Sequence, residues 1–186
     1  MPARLARKVS ATVFVSHPWE IAEVEAYVDG FIELLQMKLR HPPATWRDKF
    51  DVSVWFDRKN IYGYQTFSAQ TDAACATAPV AVFLISSRWF ASEGCQREAR
   101  FFHTPTGADK AGKRYFLMQL SGQRDPDERR FQTRPHYPEH AGTGHRNLIE
   151  LWDSSPSDRD LTIGCLAHDI FAALDDLRVG RRRTTP

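Results

Sequence analysis

The chain has 186 residues, 42% of them hydrophobic and 26% charged, a balance that suits one folded core and argues against wholesale disorder. Its formal charge of +2 leaves no global field to recruit nucleic acid. Three cysteines, Cys75, Cys95 and Cys165, are too few and too scattered for a disulfide framework or a zinc site, and their apolar surroundings suit buried free thiols in a reducing compartment.

Basic residues gather at the two ends, in Arg4, Arg7 and Lys8 and in Arg178, Arg181, Arg182 and Arg183. They read as a tail over 1–11 and a tail or linker over 179–186, flanking a domain over 12–178. The N-terminal stretch lacks the apolar core of a signal peptide. The longest strongly apolar run, Val80–Ile85, is far short of the ~20 residues that span a bilayer. The expectation is a cytosolic protein with no membrane contact and no direct nucleic-acid binding.

In chain order, Thr12–Ser16 is the first buried strand. Ile21, Val24, Val28, Phe31, Ile32, Leu35 and Leu39 then recur at three and four, giving one apolar stripe on a long helix. Val52–Phe56 is a second strand. Thr66–Ala78 reads as a helix stopped by Pro79. Val80–Ser86 follows, apolar from Val80 to Ile85, as expected of a central parallel strand covered on both faces. Ser92–His103 reads as a helix with Ser92 as N-cap and Glu93 at the positive end of its dipole. Tyr115–Leu120 is a fourth strand, Gly122–Arg146 an exposed loop, and Leu148–Trp152 a fifth strand. Ile163, Leu166, Ile170, Leu174 and Leu177 mark a last helix, which Gly180 follows.

Strands alternating with helices predict βαβ units, right-handed crossovers and helices on both faces of the sheet. The fold class expected is α/β, a flavodoxin-like three-layer domain with a five-stranded parallel sheet. Ligands of such folds bind outside the carboxyl ends of the strands. No G-x-G-x-x-G follows a strand, and no phosphate-binding loop ending in GK[ST] occurs. His136, His140, His145 and Glu139 lack H-E-x-x-H spacing and read as a solvated loop rather than metal ligands.

Three segments fall at the predicted strand ends: VFVSHPWE around Ser16, VWFDRKNIYG around Asp57, and VFLISSRWFASEGCQRE, ending at Glu98. In this order and register they resemble the TIR (Toll/interleukin-1 receptor) domain family, over Thr12 to about Leu177. The resemblance implies one of two functions. Some members of the family act as binding adaptors, whereas others cleave the nicotinamide–ribose bond of NAD+. The enzymes carry a glutamate where Glu98 stands, which makes it the catalytic candidate. Ser16 and His17 would then border the ribose or phosphates. Asp57 would close the second strand, Arg58 or Lys59 would meet the diphosphate, and Gly63 would let the loop bend over the site.

Many of these enzymes have a tryptophan four residues before the glutamate. Here that position is Gly94, and Trp19 or Trp89 would have to supply the aromatic wall. The family also implies activation by TIR–TIR self-association, an immune or antiphage effector role, and a sensor in another domain or chain. NAD+ would be the substrate, with no cofactor and no metal. The rivals are a non-catalytic TIR scaffold and an enzyme of the same architecture acting on free nucleosides.

Overall fold

The apolar runs become strands at Val9–Ser16 (β1), Phe50–Trp55 (β2), Val80–Ile85 (β3) and Arg114–Gln119 (β4). The structure, a computed structural model, describes residues 8–18, 22–56, 67–121, 131 and 134–183. Trp19, Ile21, Asp57, Arg58, Lys59 and Gly63 lie outside the described residues. Helices are α1 (Ala22–Arg40), α2 (Ala44–Arg47), α3 (Phe67–Thr77), α4 (Ser87–Ala91), α5 (Glu93–Ala99), α6 (Leu148–Trp152) and α7 (Pro156–Arg183). A short strand β5 (His136–Tyr137) leads into a 3-10 turn at Glu139–Ala141.

The sheet has five strands in the order β2-β1-β3-β4-β5, every neighbouring pair parallel. Side chains alternate across it. Val13 and Val15 of β1, with Val80, Val82 and Leu84 of β3, face a core shared with α1, α6 and α7. Phe14 of β1, Ala81, Phe83 and Ile85 of β3, and Tyr115 and Leu117 of β4 face a second core with α3, α4 and α5. The crossover from β1 to β2 moves one way along the sheet, and those from β2 to β3 and from β3 to β4 move the other. Right-handed crossovers therefore put α1 on one face and α3 to α5 on the opposite face. The direction of winding reverses between β1 and β3, and in α/β sheets such a switch point is where the carboxyl ends of the strands form a ligand crevice.

Local chemistry sets the helix ends. Ser86 caps α4 by accepting from Trp89 N, and Ser92 caps α5 by accepting from Cys95 N. At the exit of α3, Lys113 Nζ donates to the carbonyls of Cys75 (3.0 Å), Ala76 (2.7 Å) and Ala78 (2.5 Å). A cation there satisfies the orphan acceptors and complements the helix dipole.

The structure corrects the sequence reading in four places. Leu148–Trp152 is not a strand but α6. Asn147 accepts from Glu150 N (2.9 Å), while the Glu150 carboxylate receives Arg146 N (2.8 Å) and Asn147 Nδ2 (3.0 Å). This reciprocal cap starts a helix whose Leu148 and Leu151, three apart, are buried. The fifth strand is instead His136–Tyr137, paired with Leu117 and Met118.

The expected loop before Arg146 is accordingly not all exposed: Phe131 and Tyr137 are fully buried, and His136 nearly so. The single helix expected over Ser92–His103 ends at Ala99, and a separate short helix, α4, precedes it. Finally, the expected tail boundaries move outward. Val9 pairs with Phe50, and α7 runs past Gly180 to Arg183, with Arg178 6.0 Å from the Phe50 ring centre. Among the described residues no helix is long and apolar enough to cross a membrane.

Candidate active site at the β1–β3 crevice

Ser16 is the last residue of β1 and pairs with Phe83 of β3. It has the same side-chain parity as Phe14, so its hydroxyl points to the face covered by α3, α4 and α5. There it donates to Glu98 Oε2 at 2.6 Å. That length lies at the short end of the ordinary range for a hydroxyl donor to an oxygen acceptor. The same Ser16 oxygen accepts from Trp89 Nε1 at 3.0 Å. Ser16 is 1% exposed and Trp89 fully buried, while Glu98 is half-buried.

The Cys-x-x-Glu spacing explains how α5 presents the carboxylate. Residues three apart share a helix face, and both Cys95 and Glu98 meet the end of β1. The Cys95 thiol donates to the His17 carbonyl (3.4 Å), and Glu98 receives the Ser16 hydroxyl one residue earlier. Ala99 fills the core beneath. Gln96 Nε2 donates to the Trp89 carbonyl (3.1 Å), tying α5 to the end of α4.

From α3, Arg97 is matched by Asp72 (3.2 Å), a contact between half-exposed groups that adds little by itself. Cys75, also on α3, is fully buried. Burial pushes its thiol well above the ordinary range, and the Glu98 and Asp72 carboxylates add to the shift against Lys113 and Arg97. Such a thiol stays protonated and is a poor nucleophile. One turn earlier Thr71 is also fully buried, and its hydroxyl has no hydrogen-bond partner among the described residues.

The sequence-derived site residues thus separate into groups. Ser16, Trp89 and Glu98 come together. His17 follows the pleat to the other face, where Nε2 lies 3.6 Å from Glu25 of α1 and the ring sits 4.7 Å from the Phe56 ring. Its side chain is 1% exposed and does not border the crevice beside Glu98; only its backbone reaches α5.

Trp89 is packed among Phe83 and Phe90, with ring centres 5.3 and 5.1 Å away. With no exposed face, it is not an open aromatic wall. At Gly94 an added Cβ would meet only Ser92 Oγ, at 3.6 Å, so this exposed position has room for a side chain. Trp19, Asp57, Arg58 and Gly63 lie outside the described residues.

Glu25 was not singled out from sequence. Its signal was its register, since it shares a buried stripe with Val28, Ile32, Leu35 and Leu39. Among the candidate loop histidines, His145 pairs with Asp158 (3.2 Å) and His140 lies 3.7 Å from Asp169. Among the described residues no group of three or more His, Cys, Asp or Glu side chains is arranged to hold a metal ion. Comparison with known protein families, with curated proteins and with solved structures finds no match to this chain.

Proposed function

We propose that this chain is a TIR-like domain that cleaves the bond between nicotinamide and ribose in NAD+, with Glu98 as the essential carboxylate. The observation that carries the reading is the anchoring of Glu98. It is a half-buried carboxylate held by a buried hydroxyl, at the crevice where the direction of the sheet reverses. A glutamate serving only the surface of a scaffold would need no such support, and a scaffold that merely recruits other TIR domains is the weaker reading.

The chemistry suits one carboxylate. Nicotinamide in NAD+ is a cationic pyridinium and departs neutral, so no general acid has to protonate it. The C1′–N bond breaks with both electrons leaving on nicotinamide, and positive charge builds on the ribosyl carbon and ring oxygen. This is the oxocarbenium character of glycoside cleavage. A preorganised carboxylate stabilises that charge without reorienting. Water then adds to C1′ and loses a proton, or the adenine of the same molecule captures the carbon.

In this reading Ser16 orients Glu98, while Asp57, Arg58, Gly63 and Trp19 complete the substrate contacts. Self-association of TIR domains in the cytoplasm, driven by a sensor domain or partner chain, activates an immune or antiphage effector. The test is to incubate concentrated protein with NAD+ and measure free nicotinamide. Glu98→Gln should fold normally and lose at least ~100-fold in turnover, the scale of losing a key transition-state electrostatic contact. Release by the folded variant at the wild-type rate overturns the assignment. No release from the wild type leaves the scaffold.

A further inference from the structure

Trp89 meets the carboxylate at one remove, through a serine that accepts from the indole and donates to Glu98. A serine hydroxyl carries one donor hydrogen and two acceptor lone pairs, and its hydrogen rotates to suit its neighbours. An indole N–H can only donate. With Trp89 Nε1 occupying a lone pair of Ser16 at 3.0 Å, the Ser16 hydrogen is directed to Glu98 Oε2, 2.6 Å away.

The indole is in turn enclosed. It has no exposed surface and packs between Phe83 and Phe90, its backbone N–H is taken by the Ser86 hydroxyl, and its carbonyl accepts from Gln96. Orientation therefore passes from a rigid aromatic, through a buried rotor, to the half-buried carboxylate. Each bond in such a chain also polarises the next.

We propose that Trp89 is a positioning residue, which holds Glu98 in one orientation by dictating the direction of the Ser16 hydroxyl. The proposal rests on the glycohydrolase reading above for its effect on turnover, and on the hydrogen-bond chain alone for its effect on Glu98. A packing role is served by any large apolar ring, whereas the positioning role needs the N–H. Trp89→Phe keeps the ring and removes the donor.

The experiment has two arms. In steady-state NAD+ cleavage, Trp89→Phe should lower kcat about tenfold with KM nearly unchanged, the scale of one ordinary hydrogen bond. Ser16→Ala should lower kcat at least as much, and the double variant no further than Ser16→Ala, because both break the same chain. In the second arm, the Trp89 indole N–H resonance is assigned in wild-type protein through its contacts with Phe83 and Phe90.

Glu98→Gln should move that resonance upfield, since a neutral acceptor pulls less on the Ser16 hydroxyl. Glu93→Gln, an exposed charge change on the same helix, should leave it in place. Wild-type kcat in folded Trp89→Phe, or an indole resonance indifferent to Glu98→Gln, overturns the proposal. If the wild type releases no nicotinamide, the glycohydrolase reading fails, and the indole resonance alone decides whether Trp89 positions Glu98.

Discussion

Replacing Gly30 by alanine should destabilise the protein, although alanine is the better helix former. Gly30 lies in the interior of α1, where the exchange is worth about 1 kcal/mol in favour of alanine by propensity alone. Here, however, a Cβ would fall 2.8 Å from Trp152 Nε1, 2.9 Å from Cζ2 and 3.0 Å from Cε2. These atoms belong to a rigid ring system that rests on α1 from α6, beside the fully buried Leu151. Relieving the overlap requires the ring or the helix to move, and overpacking of this kind costs about 1–3 kcal/mol.

The net expectation is a loss of about 1 kcal/mol where propensity alone promises a gain. Gly164 supplies the internal control. It lies within α7 and an added Cβ there meets nothing within 4 Å, so Gly164→Ala should gain about 1 kcal/mol. Urea unfolding of the two variants should give midpoints displaced in opposite directions with unchanged slope. In a Trp152→Ala background the effect of Gly30→Ala should turn favourable. A Gly30→Ala variant as stable as Gly164→Ala would refute the contact argument.

Two further outcomes follow from the same structure. Lys113→Met leaves three carbonyls at the end of α3 without their cation, and should cost about 2 kcal/mol, read as a drop in melting temperature. Stability should also fall as pH rises above about 9, because the unfolded chain releases the Cys75 proton near its ordinary value while burial holds it in the folded state. The raised folded pKa makes this contribution complete below that pH and lost above it, at no more than about 1.4 kcal/mol per pH unit. Tyr137 is shifted the same way, first by burial and then by its hydrogen bond to Asp169, and adds to the decline from about pH 10. In denaturation series from neutral to alkaline pH, Cys75→Ala should abolish the decline between about pH 9 and 10 and make the decline above pH 10 shallower, leaving the Tyr137 part.

Much of the fold was legible because the signals that specify it are local. VAVFLI is apolar at every position and becomes the fully buried β3, since a strand covered on both faces has no polar side to show. The stripe from Val28 to Leu39 repeats at helical spacing and becomes the buried face of α1. The errors fell where local pattern is ambiguous. LIELW fits a short strand as well as a helix by composition, and the Asn147–Glu150 cap decides for helix. His136–Tyr137 is too short to carry any periodicity and is a strand only because β4 offers it an edge.

For the candidate site, sequence singled out residues but not their relations. Strand–helix order pointed to the carboxyl ends of the strands, and the three segments there contained Ser16, His17, Trp89 and Glu98. Which of them meet was decided by pleat and winding. Ser16, the last residue of β1, points towards α5 and His17, the next residue, towards α1, continuing the alternation by which successive side chains of a strand point to opposite faces. Ser16 lies 82 positions from Glu98 and 73 from Trp89 in the chain, separations at which no local spacing rule operates. Only the parallel pairing of β1 with β3, and the packing of α4 and α5 against that pair, closes those distances into a hydrogen-bonded chain.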